Sequence, residues 1–247
     1  MPTKKYGTAL TVLTCLLLCL VLGMAFFNKI FKARPAADAG FLPHAEWLTE
    51  QRDRFPFHKV WRKPGGDRNR FTELLVRPVN TQFLFEMPWI QQAGGSGINF
   101  AKDIQRVAVF CTNKLKEAFN NDPNHRLKVV QSISPKTVVL EMAIVEILPT
   151  KDIYEKLGLS SLGTGTIGQG SIAFEARVRD GKTNEILAMM ADRELGKTNT
   201  ATPGGITWYS HTDSVIEEWA RQFVELMNTP LDHQVKDSAS FQLSIWE

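Results

Sequence analysis

The clearest alternation of apolar and polar positions runs from Gly170 to Lys197, GSIAFEARVRDGKTNEILAMMADRELGK. Ile172, Phe174, Ala176 and Val178 alternate with polar residues, and Leu187, Met189 and Ala191 repeat the pattern beyond Asp180 and Gly181, which open a turn. Period-two alternation marks strands with one buried face, so the stretch predicts a β-hairpin. Setting Asp180 opposite Glu185 places Val178 against Leu187, Ala176 against Met189 and Phe174 against Ala191, which gathers the apolar side chains on one side. The other face then carries Glu175, Arg177, Arg179, Asp192 and Glu194, with Ile186 and Met190 as its large apolar residues.

Two stretches switch to helical spacing. Ile104, Val107, Ala108, Cys111, Leu115, Ala118 and Phe119 recur at three and four residues and predict an amphipathic helix from roughly Asn99 to Asn121. Val215, Ile216, Trp219, Phe223, Leu226 and Met227 define a second from about Thr212 to Met227, with Ser214 and Glu217 at capping-box spacing. Cys111 lies on the apolar stripe and reads as core, since a nucleophilic thiol needs access and a lowered pKa. Trp219 reads as a core anchor under the sheet.

Phe71 to Val79 is a strand candidate, with Leu74 and Val76 on one side and Pro78 near its end. Leu127 to Ile133 and Thr137 to Leu148, separated by Ser134, Pro135 and Lys136, read as a second hairpin. The later strand is apolar on both faces except at Glu141 and Glu146, so it is expected to be central and covered by a helix. Regular alternation points these two glutamates to opposite faces and argues against a paired acid and base. The fold class that follows is α+β: a two-layer domain over residues 71–228, a mainly antiparallel sheet of about five strands with two amphipathic helices on one face. A polar tail, 229–247, ends in FQLSIW.

Ahead of this domain the pattern changes. Ala9 to Phe27 is an almost unbroken apolar run preceded by Lys4 and Lys5 and followed by Lys29, Lys32 and Arg34. About 18 to 20 such residues span a bilayer as a helix, so residues 1–28 are expected to be a membrane anchor or signal segment. Three readings are open. A cleaved signal would use Gly23, Met24 and Ala25 as its small-x-small site. A lipidated cysteine would need small residues before it, whereas Cys15 follows Val12, Leu13 and Thr14 and Cys19 follows leucines. An uncleaved single-pass anchor fits the length of the run and its basic flanks. Residues 29–70 read as tether and extended arm: Ala33 to Gly40 is rich in Ala and Pro, and Phe41, Leu42 and Trp47 supply apolar pegs that pack on the domain surface.

Composition narrows the function classes. The 247 residues carry 29 Lys+Arg against 26 Asp+Glu, a net charge of +3, too mild for a nucleic-acid surface. Two of the three cysteines lie in the apolar run, so neither a disulfide framework nor a zinc site is available. Gly163, Gly165 and Gly168 match GxGxxG, but LGLSSL precedes them and a strand follows, the reverse of a dinucleotide fingerprint. His44, His58, His125, His211 and His233 are scattered, and no zinc-protease, nucleophile-elbow, phosphate-loop or CxxC motif occurs. No catalytic, cofactor-binding or metal residue is assigned.

The order of FLPHAEWL, LLVRPVN, GQGSIAFEARVRDGKTNEILAMMADRELGK and HTDSVIEEWARQF resembles the bacterial family catalogued as domain of unknown function 3313, over about Phe41 to Met227. The resemblance implies a cell-envelope, lipoprotein-like protein without an assigned reaction, and the chain departs from it in lacking an evident lipobox. The functional expectation is a single-pass, membrane-tethered envelope module at the bacterial inner membrane. Its domain lies outside the cytoplasm, and it works by binding or assembly with an envelope protein or cell-wall partner. The alternative is an envelope hydrolase whose site is built from the loops at residues 80–98 and 150–170.

Overall fold

The hairpin read from the alternation forms the middle of the sheet. In this computed structural model, the described residues are 33–51, 54–65, 67–93, 98–150, 170–196 and 207–230, with 153, 155, 157, 158, 233–235 and 237. Ala9–Phe27, the GTGTIG segment and the FQLSIW tail therefore lie outside them, and among the described residues no helix is long and apolar enough to cross a membrane. Among the described residues there are seven strands: β1 (Thr49–Glu50), β2 (Lys59–Arg62), β3 (Glu73–Val76), β4 (Lys128–Val129), β5 (Thr137–Leu148), β6 (Ser171–Asp180) and β7 (Ile186–Leu195). They pair in the order β1-β2-β7-β6-β5-β3-β4. Three α-helices accompany them among the described residues: the short α1 (Pro88–Gln92), α2 (Phe100–Asn120) and α3 (Asp213–Asn228). The class is α+β, as the pattern predicts.

The sheet is larger than five strands and it is mixed, for two reasons. First, the arm contributes β1 and β2. Lys59 to Arg62 pair antiparallel with Ala191 to Ala188 of β7, and Phe55, Phe57 and Val60 are buried in the core. That arm is short of alternation and rich in charge, so its two short strands carry little signal of their own. Second, Leu127 to Ile133 does not fold back on Thr137 to Leu148. Only Lys128–Val129 is strand, and it pairs in parallel with Glu73 and Leu74 of β3. Strand β3 in turn runs parallel to β5, with Leu74 beside Val138 and Val76 beside Leu140, and so separates the two halves of the expected hairpin.

Two bulges decide which side chains share a face. In β5 the ladder slips between Ile144 and Glu146, so that Glu146 lies opposite Ala173 while Glu141 lies opposite Arg177. Ala173 and Arg177 are on one side of β6, so the bulge brings both glutamates to the same face, against the simple parity expectation. In the central hairpin Asp180 N–H donates to Glu185 O at 2.9 Å as expected, but beyond the turn the register shifts by one between Val178 and Arg179. Val178 therefore meets Ala188, Ala176 meets Met190 and Phe174 meets Asp192. The extra residue on β7 turns Met190, Asp192 and Glu194 toward the helices, and Met189 and Ala191 away from them.

Helices α2 and α3 pack together on the face that carries Ile172, Phe174, Ala176 and Val178, with Leu140, Met142 and Ile144 beside them. Asn99 caps α2 by accepting from Lys102 N–H at 3.0 Å, close to the expected start. Helix α3 begins at Asp213, so Ser214 sits inside the first turn and the capping box does not form. The centre of the core is aromatic. Phe174 has no exposed surface, and its ring meets Trp219 at 4.6 Å, Phe57 at 5.3 Å and Phe223 at 5.5 Å. Phe174→Ala removes contacts with the arm and α3 together and is expected to cost roughly 3–5 kcal/mol, read as a lower denaturant midpoint at unchanged slope.

Candidate functional site

A groove of about 920 Å³ opens on the solvent side of the helix pair, between the second half of α2, the Asp122–Asn124 turn, and α3 with the segment after it. Its lining carries charges of both signs. Lys114 Nζ on α2 reaches Glu217 on α3 at 3.0 Å and Glu117 at 3.3 Å, and these bonds, Glu217 first, push the Lys114 ammonium further toward its charged form. At the end of the groove Asp122 Oδ1 accepts from Asn124 N–H at 3.0 Å and from Asn228 Nδ2 at 2.9 Å. Burial disfavours the Asp122 carboxylate, but these bonds outweigh it and hold its pKa below the usual range. Arg221, Glu225 and the exposed His233 complete the lining. The groove can receive a polar ligand through these charges.

Other groups capable of chemistry lie inside the core. Cys111 lies on the α2 stripe with its Sγ 3.6 Å from Met142 Sδ, and burial pushes its thiol up to about 12, so no thiolate forms near neutral pH. Asp192 and His58 form a buried carboxylate–imidazole pair of the kind found behind hydrolytic nucleophiles. Nδ1 of His58 is 2.6 Å from Asp192 Oδ1, and its Nε2 is 2.9 Å from the carbonyl oxygen of Ala33. A carbonyl therefore occupies the position that a nucleophilic hydroxyl would need. The other carboxylate oxygen accepts from Trp219 Nε1 at 2.8 Å, and Oδ1 also accepts from His58 N–H at 3.1 Å. The expectation of Trp219 as an anchor under the sheet holds, and its indole N–H has a partner.

The remaining histidines are apart. His44 is exposed and stacks on Trp47 at 4.2 Å, while His125 is an exposed turn residue at φ 46°. His211 is buried beside Gly170, and a Cβ at Gly170 would lie 2.8 Å from its Nε2 and 2.7 Å from Leu148 O. Gly170 also has φ 72°, so glycine is required there on both counts. Among the described residues no three His, Cys, Asp or Glu side chains come together as a metal cage. In the 80–98 loop, Trp89 is buried and its Nε1 donates to Ile147 O at 3.0 Å, so it closes the core under that loop. Residues 94–97 and most of 150–169 lie outside the described residues.

The opposite face of the sheet holds an ionic ladder that the regular parity of β5 concealed. Glu141 accepts from Arg177 Nε at 2.6 Å and Arg179 Nε at 3.0 Å, and Glu146 pairs with Arg193 at 2.7 Å. Burial raises the Glu141 pKa, but the two arginines more than reverse this and keep it low. Next to them Glu175 takes hold of the arm: its carboxylate accepts from the backbone N–H groups of Ala39 at 2.6 Å, Phe41 at 3.0 Å and Leu42 at 3.1 Å. Ala33–Gly40, expected to be a tether, is thus fastened along the sheet. Phe41 packs over Arg177 and near Ala143 and Ala173, as the pegs in the arm predict.

Residues 37–223 match the family described as protein of unknown function (DUF3313). No curated protein matches the sequence significantly. Solved structures with similarity to the chain include the PelC dodecamer from Paraburkholderia phytofirmans, at 10% identity over 66% of this chain and 96% of that one, with a TM-score of 0.37. Protein XCC0632 from Xanthomonas campestris is 13% identical over 70% of this chain and 91% of its own, with a TM-score of 0.35. Lipoprotein GNA1162 from Neisseria meningitidis is 16% identical over 54% of this chain and 86% of its own, with a TM-score of 0.20.

Burial lowers the His211 pKa from 6.5 to about 4, against a smaller opposite pull from backbone groups of Ser171 and Leu148. Between these values the unfolded chain binds a proton that the folded chain refuses, so stability falls as pH drops from 6.5 toward 4. At 1.36 kcal/mol per unit the loss is on the order of 3 kcal/mol. Denaturant unfolding between pH 7 and pH 5 is expected to show this slope, and His211→Gln to flatten it. The lowered carboxylates, such as Glu141 and Asp122, contribute only at more acidic pH.

Proposed function

The chain belongs to the DUF3313 family of proteins of unknown function, and we propose that it is a membrane-anchored cell-envelope module that acts by binding and not by catalysis. One contrast carries the reading. The accessible groove between α2 and α3 is lined by charges of both signs, with Lys114 held by Glu217 and Glu117 and Asp122 by Asn124 and Asn228, whereas the thiol, the carboxylate–imidazole pair and His211 are sealed in the core. A general acid or base has its pKa drawn toward neutrality and faces the substrate. In the groove Lys114 and Asp122 are pushed the other way, toward permanent charge, which suits recognition of a polar partner.

Anchoring rests on the sequence. Ala9–Phe27 is long enough to span a bilayer, and Lys29, Lys32 and Arg34 follow it as a headgroup-level cluster. Lys4 and Lys5 precede the run as the basic flank of an export signal does, which supports a domain outside the cytoplasm. The partner is then an envelope protein or a cell-wall component.

A photo-crosslinking residue in place of Glu225, in the full chain in living bacteria, tests the groove. The expected result is an adduct in the membrane fraction that survives high-salt washing, with none from the same residue at Val109, which is exposed on α2 outside the groove. A reporter active only outside the cytoplasm, fused after Met227, is expected to be active. Absence of any groove-specific adduct would contradict the binding reading, and a reporter active only in the cytoplasm would contradict the envelope location.

A further inference from the structure

The arm determines more than the position of the chain on the sheet. Ala33 is the first residue of the compact unit, and its carbonyl accepts from His58 Nε2 immediately before β2. If Ala9–Phe27 is the membrane anchor, as proposed above, only residues 28–32 separate the apolar run from a residue fixed to the fold. Six steps of extended chain reach about 20 Å at most. On that reading the stretch between the apolar run and Ala33 is too short to act as a long slack linker.

The β1–β2 edge carries an aromatic surface. Trp61 points from β2 to the face away from the helices, opposite Met189, and lies three residues from His58, roughly 10 Å along a strand. Trp47 packs on Trp61 at 5.0 Å and His44 stacks on Trp47 at 4.2 Å. Trp47 remains 42% exposed, one of four large apolar side chains left so open among the described residues. The charges around it are of both signs. Arg34 is exposed, Lys59 pairs with Asp38 at 2.9 Å and Lys63 pairs with Glu185, while Glu46 and Glu50 lie along the same arm. An exposed indole among mixed charges suits the headgroup layer, where Trp sits with its ring in the apolar boundary and its N–H in the wet zone.

We propose that the Trp47–Trp61 surface at the β1–β2 edge docks on the lipid headgroups of the membrane that the anchor enters. The inference rests on the anchored reading, and it orients the domain: the paired face of the sheet toward lipid, and the α2–α3 groove on the helix layer away from it. The lipid is therefore the occupant of the aromatic edge, which leaves the groove free for the partner.

The test uses the full chain with Trp246 replaced by Phe, reconstituted in vesicles of phosphatidylethanolamine and phosphatidylglycerol whose acyl chains are brominated near the headgroup. Flotation reports anchoring and tryptophan quenching reports docking. The expected result is quenching that is largely lost in the Trp47→Phe, Trp61→Phe double variant, with flotation and circular dichroism unchanged. Val109→Trp, on the opposite layer, is expected to add emission that bromine does not quench. Should the double variant fail to fold, Trp47→Phe alone, at an exposed position, is expected to remove part of the quenching. Protein that floats without quenching, or quenching indifferent to Trp47, would overturn the docking surface while leaving the anchor intact. Protein that does not float would overturn the anchor and the docking surface with it.

Discussion

A single carboxylate holds together three parts of this fold that are far apart in sequence. Asp192, on β7 and facing the helices, accepts from the His58 backbone N–H and the Trp219 indole and makes a 2.6 Å hydrogen bond with the His58 ring. A carboxylate in an apolar core is tolerated only when its oxygens are satisfied, because desolvating an unpaired charge costs several kcal/mol. Asp192 meets that condition only if the arm, the sheet and α3 are all in place at once. The polar group thereby specifies where the arm enters the core and how α3 is rotated above it, which Phe57, Phe174 and Phe223 alone would leave open. Through His58 Nε2 the same network reaches Ala33 and fixes the first residue of the folded unit.

The outer face of the sheet is organised on the same rule with charge in place of hydrocarbon. Glu141 and Glu146 are matched by Arg177, Arg179 and Arg193, and Glu175 is matched by three backbone N–H groups of the arm. Bonds from several donors to one carboxylate fix geometry more firmly than isolated surface ion pairs, which contribute little. The arm is thus bound on both sides of the sheet, by His58 near its beginning and by Glu175 at its middle. What looks in composition like a slack linker is part of the folded unit.

Much of the fold was legible because burial imposes a period. The stripes of α2 and α3, the alternation of β6 and the core positions of Cys111 and Trp219 all follow from side chains that must face one way. The misreadings are of a different physical kind. Each bulge, at Val145 and Leu187, adds one residue to a strand, leaves local composition unremarkable and inverts every assignment beyond it. That inversion is how Asp192, expected on the solvent face, became the buried centre of the core, and how Glu141 and Glu146 came to share a face. The pairing of β3 between β4 and β5 depends on contacts distant in sequence, for which a hairpin reading offers no competitor. The groove was invisible for the same reason, since Lys114 and Glu217 are drawn together only when the two helices pack.

The claim that Asp192 couples the arm to the helix layer is tested most directly by a double-mutant cycle between His58→Ala and Trp219→Phe, measured by denaturant unfolding of the full chain. The two side chains interact through the carboxylate they share. Strong non-additivity is expected, a coupling on the order of 1 kcal/mol or more. Costs that add to within about 0.3–0.5 kcal/mol, the range for independent sites, would contradict it.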